Sequence, residues 1–110
     1  MRIALHSVLR EGLESGYDVA HARLPDDLVA SFARFGIYDW SIWRHGRELF
    51  HLVEADDFGA ALAALDSDPA NERWQSVIGG FVDHFDPADA HGVPLGMAEV
   101  YSLRAQTGTA

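Results

Sequence analysis

The sequence predicts an α+β fold in one domain, from three observations. Apolar residues make up 48% of the 110 residues, which is enough for a core of ordinary size. Short runs rich in β-branched and aromatic residues alternate with longer stretches in which apolar residues recur every three or four positions. Glycine and proline separate these segments. We therefore expect a single α+β domain over residues 1–104, followed by a small, polar, disordered tail at residues 105–110.

The first two predicted elements are a strand over residues 2–9 and a long helix over about residues 13–35. Tyr17 and His21 are four residues apart on the apolar face of this helix, so both side chains should point into the interior. Pro25 cannot donate a hydrogen bond to the carbonyl of His21, and its ring crowds that carbonyl. We therefore expect the helix to kink or restart beside the histidine.

A β-hairpin is predicted in the middle of the chain. Residues 37–44 and 49–54 are rich in the aromatic and β-branched residues that favour strands. Gly46 lies between them and can adopt the positive φ that a tight hairpin turn requires. The hairpin supplies the second and third strands.

The second half of the chain predicts another helical region and a last strand. Residues 58–65 have helical spacing, and Asp68 followed by Pro69 is the pattern of an N-cap with proline at the first helical position. An apolar stripe over residues 74–85 predicts that this helix continues through them. After a loop rich in proline and glycine, residues 97–103 should form the fourth strand.

The resulting order, β-α-β-β-α-β, is that of a ferredoxin-like fold, with an antiparallel four-stranded sheet and the helices on one face. Such a fold leaves the other face of the sheet uncovered. A domain this rich in aromatic residues should bury that face against a second copy. We therefore expect a homodimer in which two sheets enclose a dimeric α+β barrel.

Charge and composition limit the class of ligand. The net charge is −9, with eight Arg and no Lys, which argues against a nucleic-acid partner. An uncharged or cationic small molecule is a more suitable ligand for a chain with this excess of negative charge. No segment has the length or polarity of a membrane span or signal peptide, so we expect a cytoplasmic protein without a membrane partner.

The sequence also argues against a metal or thiol centre. The absence of cysteine excludes a disulfide, a thiol nucleophile and a cysteine-ligated metal. His51, Glu54 and His84 could be considered as metal ligands, but their spacing matches no standard arrangement. We therefore expect no metal site of these kinds.

Five short motifs, in order along nearly the whole chain, resemble the L-rhamnose mutarotase family of small dimeric α+β barrel proteins. They are Tyr17-x-x-x-His21, Pro25-Asp26-Asp27-Leu28, an aromatic residue at Trp40, Arg73-Trp74-Gln75, and Glu99-Val100-Tyr101-Ser102-Leu103.

The resemblance implies interconversion of the α and β anomers of a 6-deoxy sugar, without metal or cofactor. It implies that His21 is the proton donor and that Tyr17, Trp40, Trp74 and Gln75 contact the substrate. An imidazole has a pKa near neutrality and can protonate the ring oxygen or deprotonate the anomeric hydroxyl. The two Trp faces suit the C–H side of a pyranose.

The sequence departs from the characterised rhamnose enzymes at several substrate-contact positions. Those enzymes have Tyr in place of Trp40, Trp in place of Gln75, and a Trp close to Pro25 that is missing here. His51 is particular to this sequence. The resemblance therefore predicts the type of reaction better than it predicts the sugar, and both L-rhamnose and L-fucose stay open as substrates.

Two other functions remain open at the level of sequence. One is a cofactor-free monooxygenase of the same barrel architecture, acting on aromatic polyketide-like molecules. The other is a non-catalytic, small-ligand-binding dimer that keeps the fold.

Overall fold

The computed structural model describes residues 1–108, which form an antiparallel four-stranded sheet packed against helices. The elements in chain order are β1 (Arg2–Leu9), α1 (Glu14–Ala20), α2 (Asp26–Arg34), β2 (Ile37–His45), β3 (Glu48–Ala55), α3 (Phe58–Asp66), α4 (Pro69–Ile78), β4 (Val82–Phe85) and α5 (Leu103–Thr107). The strand order is β2-β3-β1-β4, and each neighbouring pair is antiparallel. The ferredoxin-like α+β fold predicted from the sequence is therefore confirmed.

The two faces of the sheet differ in burial. Leu5, Leu9, Leu49 and Val53 on the central strands β1 and β3 have no exposed surface, and they form a core with apolar side chains of the helices. The alternate positions form the open face, where Phe50 keeps 44% of its surface exposed. The period of two along each strand thus separates a helix-covered face from an uncovered one.

The predicted break in the first helical region is confirmed, and it is a full interruption. Helix α1 ends at Ala20, and the backbone N–H of the C-cap His21 donates to the carbonyl of Tyr17 at 2.9 Å. Pro25 has an extended ψ of 144° and precedes α2 as its N-cap. The proline therefore leaves His21 at the end of one helix and outside the next.

The predicted continuation of the second helical region through residues 74–85 was wrong. Helix α4 ends at Ile78 and is followed by Gly79 and Gly80, which favour helix termination. Residues 82–85 instead form β4, which pairs with the C-terminal half of β1.

The predicted fourth strand at residues 97–103 was also wrong, because β4 occupies that place in the sheet. The backbone N–H of Met97 donates to the carbonyl of Ala4 at 2.8 Å, but residues 98–108 contain no strand. Residues 103–107 form the short helix α5 where disorder was expected from residue 105 onward. Residues 109–110 of the expected tail lie outside the described residues.

No helix among residues 1–108 is long and apolar enough to cross a membrane.

Candidate active site

A cavity of about 440 Å³ lies between the helix-covered face of the sheet and the helices. Its lining is mostly aliphatic and aromatic, and a loop over residues 91–94 contributes to it. The lining residues are Tyr17, His21, Leu24, Phe32, Trp40, Ile42, His51, Leu62, Leu65, Asp66, Asn71, Trp74, Gln75, Ile78, Gly79, Val82, Phe85, His91, Gly92, Val93 and Pro94. All five site residues predicted from the sequence, His21, Tyr17, Trp40, Trp74 and Gln75, are therefore brought to one cavity.

His21 occupies the interruption between α1 and α2, with its imidazole between two aromatic rings. The ring centroid lies 5.2 Å from that of Trp74 in an edge-on arrangement, and 5.2 Å from that of Tyr17. Burial lowers the pKa of His21 below its ordinary value of 6.5, so the neutral form prevails at pH 7. A neutral imidazole has one nitrogen that donates and one that accepts.

Tyr17 completes this end of the cavity. Its side chain is buried, and burial, with a smaller contribution from Asp18, raises the pKa of its phenol to about 12. The phenol therefore keeps its proton at neutral pH. Within residues 1–108, neither this hydroxyl nor the imidazole of His21 is hydrogen-bonded to another side chain.

Trp40 on β2 forms the aromatic wall of the cavity. Its ring stacks on Phe32 of α2, with centroids 5.7 Å apart and planes 17° apart, and it meets Phe58 of α3 edge-on. The indole Nε1 donates a hydrogen bond to Nδ1 of His51 at 3.1 Å. The indole is thus held by Phe32 on one face and by His51 at its only polar group.

His51 on β3 is a lining residue that the sequence analysis weighed as a metal ligand and noted as particular to this sequence, without assigning it a role in the site. It is 6% exposed, and its Nε2 lies 3.0 Å from the hydroxyl of the fully buried Ser7. Burial, assisted by nearby His21 and His6, lowers the pKa of His51 to about 4, so the ring is neutral. His51 lies two residues from each of the apolar residues 49 and 53, and this period of two was the signal that could have placed it on the cavity face.

Trp74 and Gln75 lie on α4 and differ in exposure. Trp74 is 9% exposed and packs beside His21, whereas Gln75 is exposed and its Nε2 donates to Oδ1 of Asn71 at 3.4 Å. Adjacent residues on a helix point about 100° apart, so only one of the two can be fully inward. Gln75 and Asn71 therefore place amide groups at the rim.

The three residues weighed as metal ligands do not converge. By strand register, Glu54 and His84 lie on the open face of the sheet, whereas His51 faces the helices. Across residues 1–108, no three His, Asp or Glu side chains are arranged to hold a metal ion.

The fold and cavity define a ferredoxin-like α+β protein with a largely apolar cavity that has a neutral histidine and a phenol at one end. The sequence profile of the L-rhamnose mutarotase family matches residues 2–103. The chain therefore belongs to the L-rhamnose mutarotase family, and by this membership it is a sugar mutarotase, an isomerase acting on carbohydrates. Nothing favours the monooxygenase or the non-catalytic alternative.

Solved structures with the same fold include two enzymes. An L-rhamnose mutarotase from Formosa agariphila shares 17% identity, with a TM-score of 0.70 over 94% of this chain and 98% of its own. The tetracenomycin F2 cyclase of Streptomyces glaucescens shares 16% identity, with a TM-score of 0.66 over 93% of this chain and 97% of its own. At such identities the likeness shows the fold alone. A comparison with curated protein sequences gives no significant match.

Proposed function

We propose that the cavity binds a 6-deoxyhexose, L-rhamnose or L-fucose, and that His21 transfers the proton that interconverts its α and β anomers. The observation that carries this proposal is the pair of ring groups at the helix interruption. His21 and Tyr17 lie side by side in an aromatic cavity, and neither is satisfied by another side chain within residues 1–108. Because no other side chain uses the phenol hydroxyl or the imidazole, both groups can hydrogen-bond a ligand in the cavity.

The reaction requires one proton to leave the anomeric hydroxyl and one to reach the ring oxygen. Neutral His21 accepts the proton of the hydroxyl as the bond between C1 and the ring oxygen breaks and C1 becomes a carbonyl carbon. The electron pair of the broken bond stays on the ring oxygen, which the resulting imidazolium protonates. Rotation about the C1–C2 bond and the reverse steps close the ring on the other face.

Tyr17 assists as a hydrogen-bond donor. Because its pKa is about 12, the phenol keeps its proton and can donate to the sugar oxygen on which negative charge develops. Trp74, edge-on to His21, and Trp40 present ring surface to the C–H groups of the sugar. Gln75 at the rim can hydrogen-bond a peripheral hydroxyl.

The proposal is tested by exchange NMR on the anomeric protons of a panel of sugars that includes L-rhamnose and L-fucose. The wild type should accelerate exchange of at least one of the two, and Tyr17→Phe should weaken the acceleration. Tyr38→Phe is a matched control, because it removes the same hydroxyl from a tyrosine that is 66% exposed and does not line the cavity. Failure to accelerate any 6-deoxy sugar would overturn the proposal.

We also propose that the protein is a homodimer formed through the open face of the sheet. On this face Trp43 is 58% exposed and Phe50 44% exposed, and their positions are paired in the register of β2 and β3. Adjacent exposed apolar side chains of this size are typical of protein–protein interfaces.

Sedimentation velocity tests the dimer. The wild type should sediment as a dimer at micromolar concentration, and Phe50→Glu should shift it toward monomer. Val77→Glu is the control, because Val77 is 54% exposed but lies on α4, away from the open face. A monomeric wild type contradicts this interface. The cytoplasmic location predicted from the sequence stays a prediction.

A further inference from the structure

One row of polar side chains crosses the middle of the sheet beneath the cavity. Ser7 on β1, His51 on β3 and Trp40 on β2 lie on the helix-covered face, each offset by two residues from direct pairing with the next. Such diagonal neighbours are within reach of long side chains. Hydrogen bonds of 3.0 Å and 3.1 Å connect the three.

The direction of these hydrogen bonds is fixed by chemistry. An indole N–H can only donate, so Nδ1 of His51 must be the acceptor from Trp40. In the neutral imidazole the proton is then on Nε2, which donates to the hydroxyl oxygen of Ser7. Both nitrogens of His51 are therefore used inside the protein, unlike those of His21.

The consequence for the cavity is a wall without a free polar atom. The single polar group of Trp40 is held by His51, and its ring stacks on Phe32 and meets Phe58 edge-on. Phe85 also contacts the ring of His51, with ring centroids 5.6 Å apart. A hydroxyl placed against this wall would lose its hydrogen bonds to water and gain none from the protein. A methyl group makes no such hydrogen bonds and therefore loses none.

We propose that His51 is a specificity-determining positioning residue that keeps the Trp40 N–H away from the substrate, so that this wall selects a 6-methyl group over a 6-hydroxymethyl group. The inference rests on the proposed mutarotase function and deepens it. An apolar pocket rejects an added hydroxyl by at most about 10²-fold, so we expect wild-type kcat/KM to favour the deoxy sugar by about 10- to 100-fold.

Two substitutions at residue 51 separate the two hydrogen bonds. The amide oxygen of His51→Asn can take the place of Nδ1 and accept from Trp40, while the bond to Ser7 is lost. The longer His51→Gln can keep the contact with Ser7, while the acceptor for Trp40 is lost. Both variants remove one bond from the row, so a purely structural role of His51 predicts similar effects.

The assay compares L-rhamnose with L-mannose, and L-fucose with L-galactose, since each pair differs only in the 6-hydroxyl. His51→Asn should keep the preference for the deoxy sugar. His51→Gln should reduce it about tenfold, mainly through KM, because the freed indole N–H can then bind a hydroxyl. The indole N–H resonance of Trp40, assigned with Trp40→Phe, should move in His51→Gln and stay in His51→Asn.

Each other outcome overturns the inference. Equal selectivity in both variants, or an unmoved Trp40 resonance in His51→Gln, shows that His51 does not set the wall. A wild type that is active but does not discriminate contradicts the inference and leaves the mutarotase function intact. A wild type inactive on every sugar contradicts both.

Discussion

Lowering the pH from 7 to 4 should destabilise the folded protein through His51. The ring is 6% exposed, and its pKa falls from 6.5 in the unfolded chain to about 4 in the folded protein. Between these two values the unfolded state binds a proton that the folded state does not, so the free energy of unfolding decreases as the pH falls. The contribution is fully present above pH 6.5 and lost by about pH 4.

The magnitude follows from the size of the pKa shift. Each pKa unit corresponds to about 1.4 kcal/mol, so the shift of His51 is worth about 3 kcal/mol between the two ends of the window. His51→Asn removes the titrating group and keeps an acceptor for Trp40. Two other histidines also titrate with shifted pKa values: that of His21 is lowered, and that of His6 is raised mainly by its hydrogen bond to Glu48. Both residues are present in the wild type and in the variant, so their contributions to the pH dependence of stability cancel to first order.

Urea denaturation at several pH values measures this effect. The stability of the wild type relative to His51→Asn should decrease by about 3 kcal/mol from pH 7 to pH 4. A difference between the two proteins that does not change with pH would refute the reasoning, since it would mean that His51 is not buried as a neutral ring.

Three further predictions concern activity and stability. The kcat/KM for anomer exchange should decrease once the pH falls below the lowered pKa of His21, because protonation of His21 removes the acceptor that the reaction needs, and a flat pH profile would contradict this. Leu28→Ala should lower the free energy of unfolding by about 2–5 kcal/mol, because it opens a cavity under α2. Leu103→Ala, on the exposed α5, should change it by less than about 0.5 kcal/mol. Urea denaturation measures both. Asp68→Ala should cost about 1 kcal/mol in the same assay, because its side chain accepts from the backbone N–H of Asn71 at the start of α4, and an unchanged midpoint would contradict that role.

Local chemistry made much of the fold predictable from the sequence. Pro25 determines the helix interruption, and Gly46, with a φ of 59°, forms the predicted hairpin turn. Asp68 caps α4 as its position before Pro69 predicted. In each case one residue type has a strong preference for one backbone conformation, so no tertiary information is needed.

The last strand could not be placed in this way. The apolar residues of 82–85 fit a helix that begins at Pro69 as well as a short strand, and the choice depends on pairing with β1, more than 70 residues earlier. Residues 97–103 have strand composition, but the edge of β1 is already occupied over most of its C-terminal half.

The site was predictable to the extent that its residues lie on one helix face or in one motif. Tyr17 and His21 follow from helical spacing, whereas the bond between Trp40 and His51 joins two strands and depends on register. The role of His51 as the hydrogen-bond partner of Trp40 therefore emerged only from the structure, although its place in the strand alternation was visible in the sequence.

The most direct measurement of the proposed chemistry is the rate of anomer exchange with His21→Asn, on whichever 6-deoxy sugar the wild type accelerates most. Asparagine keeps a polar side chain of smaller size at the cavity but cannot take up and return a proton. If His21 transfers the proton, the catalysed rate at pH 7 should fall by about 10²- to 10⁴-fold. A variant that folds like the wild type and keeps its rate within about threefold would show that the proton moves through another group.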